Sequence, residues 1–403
     1  MANPQLFSVP GFQFQTQEEM VAVGRRKKRL SIGVPKETCM QENRIPLTPE
    51  GVHLLVSNGN EVIIESGAGK GARYSDHDYS EAGAKIVYGP KEVFESAIVL
   101  KVEPPSGKEL EYFKHGQTLI SAIQLKTRDK GYFETMMKKK LTAISFEHIR
   151  DEDGNIPIVR CMSEIAGNAS ILIAAEYLSN AHQGKGYLLG GVTGVPPTEV
   201  VIIGAGTVGE YAARTALGMG ANVKVFDKSL SRLKRLQESI PFPLFTCVIH
   251  PGILAKSLKR CDVAIGAIRG ENGRTPCVVT EEMVQGMKDG SVIIDVSIDQ
   301  GGAFETSELT DHDDPVIEKH GVLHYCVPNI ASRVSRTASF SLSNIFAPLL
   351  LSVSEEGGME NILRYHAEIR AGMYMYNGVL THRGIGEWYD LPFSEANLLF
   401  GEL

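Results

Sequence analysis

The stretch that decides the fold is Glu199–Asp227, which reads EVVIIGAGTVGEYAARTALGMGANVKVFD. Its apolar start, Val200–Ile203, is followed by the glycine pattern G-x-G-x-x-G over Gly204–Gly209. A helical spacing of apolar residues comes next, and a second apolar run ends in an aspartate. A strand, a glycine turn, a helix and a second strand within about 30 residues form the dinucleotide-binding fingerprint of the Rossmann fold. The stretch therefore predicts a nucleotide-binding α/β domain.

Each position at the glycine turn has a physical task in that fold. Gly204 permits the tight turn, Gly206 lets the backbone approach a pyrophosphate, and Gly209 lets the helix pack closely on the strand. At the start of the helix, Thr207 and Val208 offer the phosphates unpaired N–H groups and the positive end of the helix dipole. These five residues are candidate cofactor contacts.

An acidic residue at the end of the second strand bears on which dinucleotide is bound. Asp227 is placed to accept hydrogen bonds from the adenine-ribose hydroxyls, and its charge repels a 2′-phosphate. NAD is therefore favoured over NADP, although Lys228 and Arg232 lie nearby and weaken that preference. The alternative interpretation is an ordinary strand–helix–strand turn with a surface aspartate.

Composition limits the classes of protein that the chain can belong to. Its 403 residues exceed one typical core and indicate two domains. A net charge of −7 gives no reason to expect nucleic acid or an anionic membrane as a partner. The six cysteines form no C-x-x-C pair, which indicates reduced thiols in a cytoplasmic protein, and no metal-ligand spacing stands out among the eleven histidines. No signal peptide is evident, and the longest apolar run near the C-terminus, Ile345–Val353, is too short to cross a bilayer.

Strand-like and helix-like segments alternate along the chain and predict parallel α/β domains. Residues 1–29 read as an N-terminal extension with a loose helix over Thr16–Arg26. Residues 30–160 form the first part of one domain, 161–334 the nucleotide-binding domain, and 335–403 a return to the first domain with a C-terminal extension.

Two long apolar-rich segments are predicted to connect the domains. One helix is expected over Ser163–Leu178 and a second over Ser335–Ser352. The remainder, 353–403, reads as a helical tail with a loop over Gly384–Asp390.

Short stretches on both sides of the glycine turn carry a family signature. They are Gly33–Glu37, Glu42–Pro49, Leu100–Val102, Met162–Gly167, Gly190–Pro197, Asp295–Gly302 and His324–Asn329. In this order the chain resembles alanine dehydrogenase, a family related to the NAD-binding subunit of proton-translocating transhydrogenase. The resemblance runs from about residue 30 to 350, so residues 1–29 and the segment beyond about 355 are expected to lack a counterpart in short bacterial enzymes.

The resemblance implies a fold and a reaction. An inserted Rossmann NAD-binding domain and a discontinuous, flavodoxin-like substrate domain, each with a mainly parallel sheet, would enclose a cleft. The implied reaction is reversible oxidative deamination of L-alanine to pyruvate and ammonia, with hydride passing to NAD. The resemblance also implies homo-oligomers, commonly hexamers.

Three residues match the substrate site of the family. Arg44 matches the arginine that binds the substrate carboxylate, Lys101 the lysine that contacts the keto or carboxylate oxygen, and Asp299 the catalytic aspartate near the nicotinamide and the substrate amine. Each also has a plain alternative: a surface arginine, a solvated lysine at a strand end and an aspartate that caps a turn. The remaining matches line the family's NAD site, and they are Ser163, Arg232, Ala267, Ile268 and Asn329.

The chain departs from the family at Gln124, where related enzymes have a histidine that acts as general acid and base. Glutamine forms hydrogen bonds but does not titrate near neutral pH. Either Asp299 or Lys101 takes over proton transfer through water, or the substrate differs from alanine, or the protein binds NAD and catalyses poorly. A second departure, Ala331–Arg336, replaces proline and small residues and bears on the nicotinamide side.

Three other functions stay open at this stage. A transhydrogenase-type subunit is disfavoured because Arg160-Cys161-Met162 stands where that class has Arg-Gln-Asp. A non-catalytic NAD-binding protein would follow from the loss of the histidine. A dehydrogenase for another small amino acid, or one that condenses an amine with a 2-oxo acid, is the third.

Overall fold

Two mainly parallel β-sheets, each covered by helices, make up the protein in this computed structural model, which describes residues 27–124, 128–182, 184–270 and 275–401. The predicted helix over Thr16–Arg26 lies outside the described residues. The two-sheet α/β fold confirms the predicted fold class. The domain boundaries given above stay a prediction.

The first sheet begins with six strands. They are β1 (Ser31–Val34), β2 (Glu61–Glu65), β3 (Lys85–Val87), β4 (Ile98–Leu100), β5 (Thr118–Ser121) and β6 (Thr142–Ser145). Its helices are α1 (Pro49–Ser57), α2 (Asp76–Glu81), α3 (Pro90–Val93), α4 (Gly107–Tyr112) and α5 (Lys130–Lys138), and α6 (Pro157–Leu178) leads out of it. Local signals start these helices: Thr48 caps α1, with Pro49 at its first position, and capping boxes start α2 and α4.

The second sheet holds the glycine turn. Its strands are β7 (Glu199–Ile203), β8 (Asn222–Asp227), β9 (Phe245–Val248), β10 (Val263–Gly266), β11 (Val292–Asp295), β12 (Val316–Lys319) and β13 (Val322–Tyr325). Its helices are α7 (Thr207–Gly218), α8 (Leu230–Ser239), α9 (Pro251–Leu258) and α10 (Glu281–Gln285). The strand order β12-β13-β11-β10-β7-β8-β9 is parallel except for β12, and β7 lies centrally between β10 and β8. The alternation of strands and helices predicted this sheet, but not α9 or β12.

The chain then returns to the first sheet. The return elements are α11 (Ser335–Glu355), α12 (Met359–Tyr365), α13 (Ala367–Arg370), β14 (Met373–Tyr376), β15 (Val379–Leu380), α14 (Arg383–Tyr389) and α15 (Ala396–Leu399). The first sheet thus has the order β15-β14-β6-β5-β4-β1-β2-β3, with β14 antiparallel to both of its neighbours.

The prediction of a helical tail with a loop over Gly384–Asp390 is wrong in two places. β14 and β15 form a hairpin on the edge of the first sheet, and most of the predicted loop lies in α14. Asn377 and Gly378 connect these strands with φ values of 46° and 81°. Asn-Gly favours tight hairpin turns because both residues tolerate a positive φ. This dipeptide, between two apolar runs, was the local sequence signal that indicated the hairpin.

The predicted start of the bridging helix is also wrong. α6 begins at Pro157 and not at Ser163. Proline is favoured at the first helical position, because an N–H group there would have no intrahelical partner. Ser163 therefore lies inside α6 and does not cap it.

Two long apolar segments of the described chain, Pro157–Leu178 and Ile330–Glu355, reach the length and hydropathy of a membrane span. Both contribute to protein cores. Ile171 and Ile173 of the first belong to the core of the second sheet, and Phe346 and Leu350 of the second belong to the core of the first sheet. Core packing accounts for the hydropathy of both segments.

The turn after β7 leaves no room for a side chain at Gly209. A Cβ atom there would lie 1.9 Å from the carbonyl oxygen of Gly204. We expect Gly209→Ala to lower the free energy of unfolding by about 1–3 kcal/mol, as overpacking does, and to weaken dinucleotide binding. The measurement is a denaturant titration with calorimetric NAD binding.

Gly218→Ala is the matched control, because a Cβ at this last residue of α7 meets nothing within 4 Å. We expect Gly218→Ala to be neutral or slightly stabilising. Equal stability of the Gly209→Ala protein and the wild type would contradict this account of the turn.

Candidate active site

The predicted substrate residues lie at the carboxyl ends of parallel strands. Lys101 directly follows β4, Gln124 follows β5, and Asp299 follows β11 of the other sheet. Ligands of open parallel sheets bind outside these strand ends. The sheet topology therefore presents residues from distant parts of the chain to one cleft.

Arg44 is held by Glu42 through a two-point ion pair. Its Nε donates to Glu42 Oε1 at 2.8 Å and its Nη2 to Oε2 at 2.6 Å. Although desolvation opposes ionisation of the buried Glu42, the charge and hydrogen bonds of Arg44 lower the pKa of this carboxyl. The pair occupies one edge of the guanidinium. The Nη1–Nη2 edge, which contacts Met162 Sδ at 3.5 Å, remains able to accept a second carboxylate.

Lys101 is fully buried, which excludes the solvated strand-end alternative. Its Nζ donates to Glu109 Oε1 at 2.7 Å and lies 3.4 Å from Glu37 Oε2. Desolvation works against its charge, yet these two carboxylates raise the pKa of Lys101 above its ordinary value. Ser106 N–H binds the other oxygen of Glu109, so the capping box of α4 also orients the partner of the lysine.

Glu37 and Glu103 complete a group of buried carboxyls around these cations. Burial raises the pKa of Glu37 to about 7 against the opposing charge of Lys101. Burial and the neighbouring Glu42 raise the pKa of Glu103 to about 7, while Arg44 opposes the shift. Near neutral pH both groups therefore exchange protons, which limits the negative charge that the site must hold.

Gln124 approaches this group in a left-handed conformation with φ of 43°. Its Nε2 donates a hydrogen bond to Glu103 Oε2. Glu103 Oε1 lies 3.6 Å from Arg44 Nη2. The carboxyl of Glu103 is thus placed between the predicted carboxylate-binding arginine and the residue at the departure from the family.

Asp299 joins the site from the second sheet, in the 3-10 turn Ile298–Gln300. Its surface is open to the cleft, but surrounding protein atoms desolvate the carboxyl and raise its pKa to about 6. The N–H of Asn329 and the charge of Arg44 oppose this shift. The Asn329 side chain in turn donates to Glu42 Oε2 at 2.7 Å. Arg44, Glu42, Asn329 and Asp299 therefore form one network that crosses between the sheets.

The glycine turn has the shape that a dinucleotide requires. Gly204 has φ of 119°, and a Cβ there would lie 2.2 Å from the carbonyl oxygen of Ala267. A Cβ on Gly206 would meet no protein atom within 4 Å, so its backbone faces open space at the start of α7. The first N–H groups of a helix lack intrahelical partners, and at this end of α7 they can bind a pyrophosphate.

Asp227 is buried and already engaged by backbone donors. Ala205 N–H binds its Oδ2 at 2.7 Å, and Ser229 N–H binds its Oδ1 at 2.7 Å. These bonds tie the glycine turn to the start of α8. Each carboxylate oxygen keeps a further lone pair, so the group can still accept from a ribose hydroxyl. The surface-aspartate alternative does not describe this residue.

The other predicted cofactor residues are distributed around the same turn. Ile268 follows Ala267 beyond the end of β10 and donates its N–H to Ser297 Oγ at 3.0 Å. Arg232 lies exposed in the first turn of α8. Ser163 lies in α6, which packs so closely on α7 that a Cβ on Gly167 would lie 2.5 Å from the carbonyl oxygen of Val208. Their roles stay predictions.

A cavity of about 460 Å³ opens beside the buried glutamates Glu37 and Glu42. Its lining residues are Lys36, Glu37, Glu42, Asn43, Gly67, Ala68, Lys70, Gly71 and Arg73. Sequence reasoning missed Glu37, Glu42, Glu103 and Glu109. The available signal for the first two was their position inside the stretches that carry the family signature.

Comparison with known proteins identifies the family of most of the chain. Residues 33–166 match the family "Alanine dehydrogenase/PNT, N-terminal domain", and 170–383 match its C-terminal domain. An alanine dehydrogenase of Methanococcus maripaludis is 40% identical over 373 residues, which is 92% of this chain and 100% of the relative.

Solved structures agree with these matches. An L-alanine dehydrogenase superposes with a TM-score of 0.84 at 35% identity and covers 89% of this chain and 99% of its own. A transhydrogenase from Sinorhizobium meliloti, at 24% identity, covers 88% and 99% with a TM-score of 0.74 and shares the fold. Because the family match extends to residue 383, the expectation that the chain beyond 355 lacks a counterpart is wrong.

Proposed function

The chain belongs to the alanine dehydrogenase/PNT family, and from this premise we propose that it is an NAD-dependent alanine dehydrogenase. It would catalyse the reversible oxidative deamination of L-alanine to pyruvate and ammonia. The observation that carries the proposal is the network of Arg44, Asn329 and Asp299 across the two sheets, with Lys101 beside it.

The substrate would be held by the Nη1–Nη2 edge of Arg44, the edge that contacts Met162 Sδ. A carboxylate binds the Nη1–Nη2 edge in two-point fashion while Glu42 keeps the other edge, so the arginine stays fixed. Asp299, with a pKa raised to about 6, holds the ammonium group of the substrate or takes its proton. Lys101 reaches a substrate oxygen when Glu37, the more distant of its two partners, gives way.

NAD supplies the hydride acceptor when bound. The residues proposed to hold it are those of the glycine turn, with Asp227 at the adenine ribose and Asn329 and Asp299 at the nicotinamide side. Asp227 carries its charge at the end of β8, where the 2′-phosphate of NADP would lie.

We expect kcat/KM for NAD to exceed that for NADP by at least about tenfold, which corresponds to about 1.4 kcal/mol. The measurement compares initial rates of dinucleotide reduction with L-alanine at equal ionic strength. Equal values for the two dinucleotides would contradict the assignment of Asp227.

The activity test is a substrate panel. Purified protein receives NAD with L-alanine, D-alanine, glycine, L-serine and L-valine, and absorbance at 340 nm is followed from pH 7 to pH 10. We expect the highest kcat/KM with L-alanine. A higher value with another amino acid would overturn the assignment of substrate.

A second candidate function is NAD binding without turnover, which the presence of Gln124 favours. It predicts calorimetric binding of NAD with no absorbance change for any amino acid in the panel.

Six free thiols are consistent with the proposed cytoplasmic location. The proposed homo-oligomer, a hexamer by resemblance, is testable by light scattering.

A further inference from the structure

Glu103 has the contacts that a proton-transferring group in this cleft requires. We propose that Glu103, oriented by Gln124, is the general acid and base of this enzyme. The inference rests on the alanine dehydrogenase activity proposed above. It adds a catalytic residue that neither the glycine turn nor the family signature assigns.

Glu103 lies between Gln124 and the predicted carboxylate-binding arginine. One oxygen of Glu103 accepts a hydrogen bond from the Gln124 amide, and the other lies 3.6 Å from Arg44 Nη2. A substrate whose carboxylate occupies the outer edge of Arg44 has its α-carbon one bond further on. Among the described carboxyls, Glu103 is the one that contacts both Arg44 and Gln124. A proton can thus pass between this carboxyl and a water or amine on the α-carbon.

Gln124 has a positioning role in this arrangement. Its amide cannot accept or release a proton near neutral pH, but its N–H fixes one oxygen of Glu103. The backbone of Gln124 is left-handed, and its side chain reaches Glu103, three residues after the end of β4. Gln124 therefore supplies the orienting hydrogen bond and Glu103 the titrating group, two roles that a single histidine would combine.

The electrostatic surroundings support the assignment. The charged and titratable groups facing Glu103 are Glu42, Arg44, Glu37 and Cys39. Burial and Glu42 raise the pKa of Glu103 to about 7, the range in which one group serves as both acid and base.

Glu37 has a similarly raised pKa but is a less suitable proton carrier. Its Oε1 accepts from Val102 N–H at 2.6 Å, its Oε2 from Glu103 N–H at 3.4 Å, and it faces Lys101. These contacts indicate that Glu37 fixes the position of Lys101 and of the backbone that follows β4.

Glu103 would move protons during hydrolysis of the oxidised substrate. After hydride has left the α-carbon, the substrate is an iminium ion. Water forms a bond to that carbon, the C=N electron pair moves to nitrogen, and the water proton moves to Glu103. Glu103 returns the proton to the amine nitrogen, the C–N bond breaks with its electrons on nitrogen, and ammonia leaves. The hydroxyl forms the C=O bond of pyruvate, and its proton ends on Glu103, which releases it to solvent.

The test is Glu103→Gln, which keeps the shape and removes the titration. We expect kcat for deamination to fall by about 10²–10⁴, the usual contribution of general acid–base catalysis, with NAD affinity unchanged. Glu95→Gln, an exposed carboxylate of the same sheet region paired with Lys114, is the matched control and should behave as the wild type. Glu103→Asp, which keeps a titrating group, should retain more activity than Glu103→Gln.

The pH dependence gives a readout that a merely structural role would not move. Deamination needs the ionised base, so kcat/KM should rise with pH through about 7, the pKa to which Glu103 is raised. Reductive amination needs the protonated acid and should fall over the same range. Glu103→Gln should remove this step, whereas Asp299→Asn should leave it in any residual activity.

A rescue variant completes the test. Adding Gln124→His to Glu103→Gln should restore kcat at least about tenfold, because histidine titrates near neutral pH. An active wild type with an equally active Glu103→Gln variant and an unchanged pH profile would overturn this inference alone. A wild type that binds NAD but reduces none with any amino acid would overturn the proposed function, and this inference with it.

Discussion

Replacing Arg44 by methionine should abolish most of the activity with L-alanine. Methionine keeps the length of the side chain and removes the fork that holds two carboxylates. Truncating one partner of a buried, hydrogen-bonded charge pair costs about 2–5 kcal/mol, which corresponds to about 30- to 4,000-fold in kcat/KM. Arg44 would hold the substrate carboxylate in the ground state as well as in the transition state. Most of the effect of its loss should therefore appear in KM.

A double variant separates binding from stability. Arg44→Met leaves the buried carboxylate of Glu42 without its cation, which should also destabilise the protein. Glu42→Gln in the same chain removes that charge, so Arg44→Met with Glu42→Gln should regain stability but not activity. Arg364→Met, at an exposed helical ion pair, is the control that should leave both unchanged. An unaltered KM for alanine in the Arg44→Met protein would exclude this residue as the carboxylate site.

The second large effect is expected for Lys101→Met. The lysine is fully buried against Glu109 and Glu37, and loss of one member of a buried ion pair costs about 3–5 kcal/mol. The same change removes the cation proposed to meet a substrate oxygen. We therefore expect a lower denaturation midpoint, measured by urea titration, and a loss of turnover measured at a temperature where the variant is folded.

Glu109→Gln combined with Lys101→Met distinguishes the two roles of the lysine. Removing the carboxylate that lies 2.7 Å from Nζ should recover part of the stability, because the uncompensated charge is gone. Activity should stay low. Lys114→Met, whose partner Glu95 is exposed, should have little effect on either property. Full activity of a folded Lys101→Met protein would show that the lysine has a structural role only.

Local sequence signals predicted the parts of this fold that local physics determines. The glycine turn, with the strand before it and the helix after it, follows from residues within one continuous stretch. The start of α6 was predicted at Ser163, although Pro157, a residue type favoured at the first helical position, stands upstream. The hairpin β14–β15 was missed although Asn377-Gly378, between two short apolar runs, is a local signal for a tight turn.

The predicted site was incomplete for a different reason. Arg44, Lys101 and Asp299 were identified by resemblance, but the carboxyls that hold them were not. The contact between Glu42 and Asn329 joins residues 287 positions apart, and that between Glu103 and Gln124 depends on which strands are neighbours. No local pattern encodes such contacts. They follow from the parallel pairing of β4 with β5 and from the approach of the two sheets.

The contact between Gln124 and Glu103 shows the consequence of missing such a long-range contact. Sequence alone indicated a missing acid and base and offered Asp299 or Lys101 as a substitute. The fold places a third group, Glu103, in contact with Gln124 and raises its pKa to about 7. Lys101 lies between Glu37 and Glu109, whose charges raise its pKa above the ordinary value, so it is a poor proton donor near neutral pH.

Isotope transfer from the α-carbon tests the central claim most directly. The protein is incubated with L-alanine deuterated at carbon 2 and with NAD, and the dinucleotide product is analysed by mass spectrometry. Hydride transfer from that carbon predicts reduced dinucleotide heavier by one mass unit, together with unlabelled pyruvate. Reduced dinucleotide without deuterium, or no reduced dinucleotide from protein that binds NAD, would contradict the account.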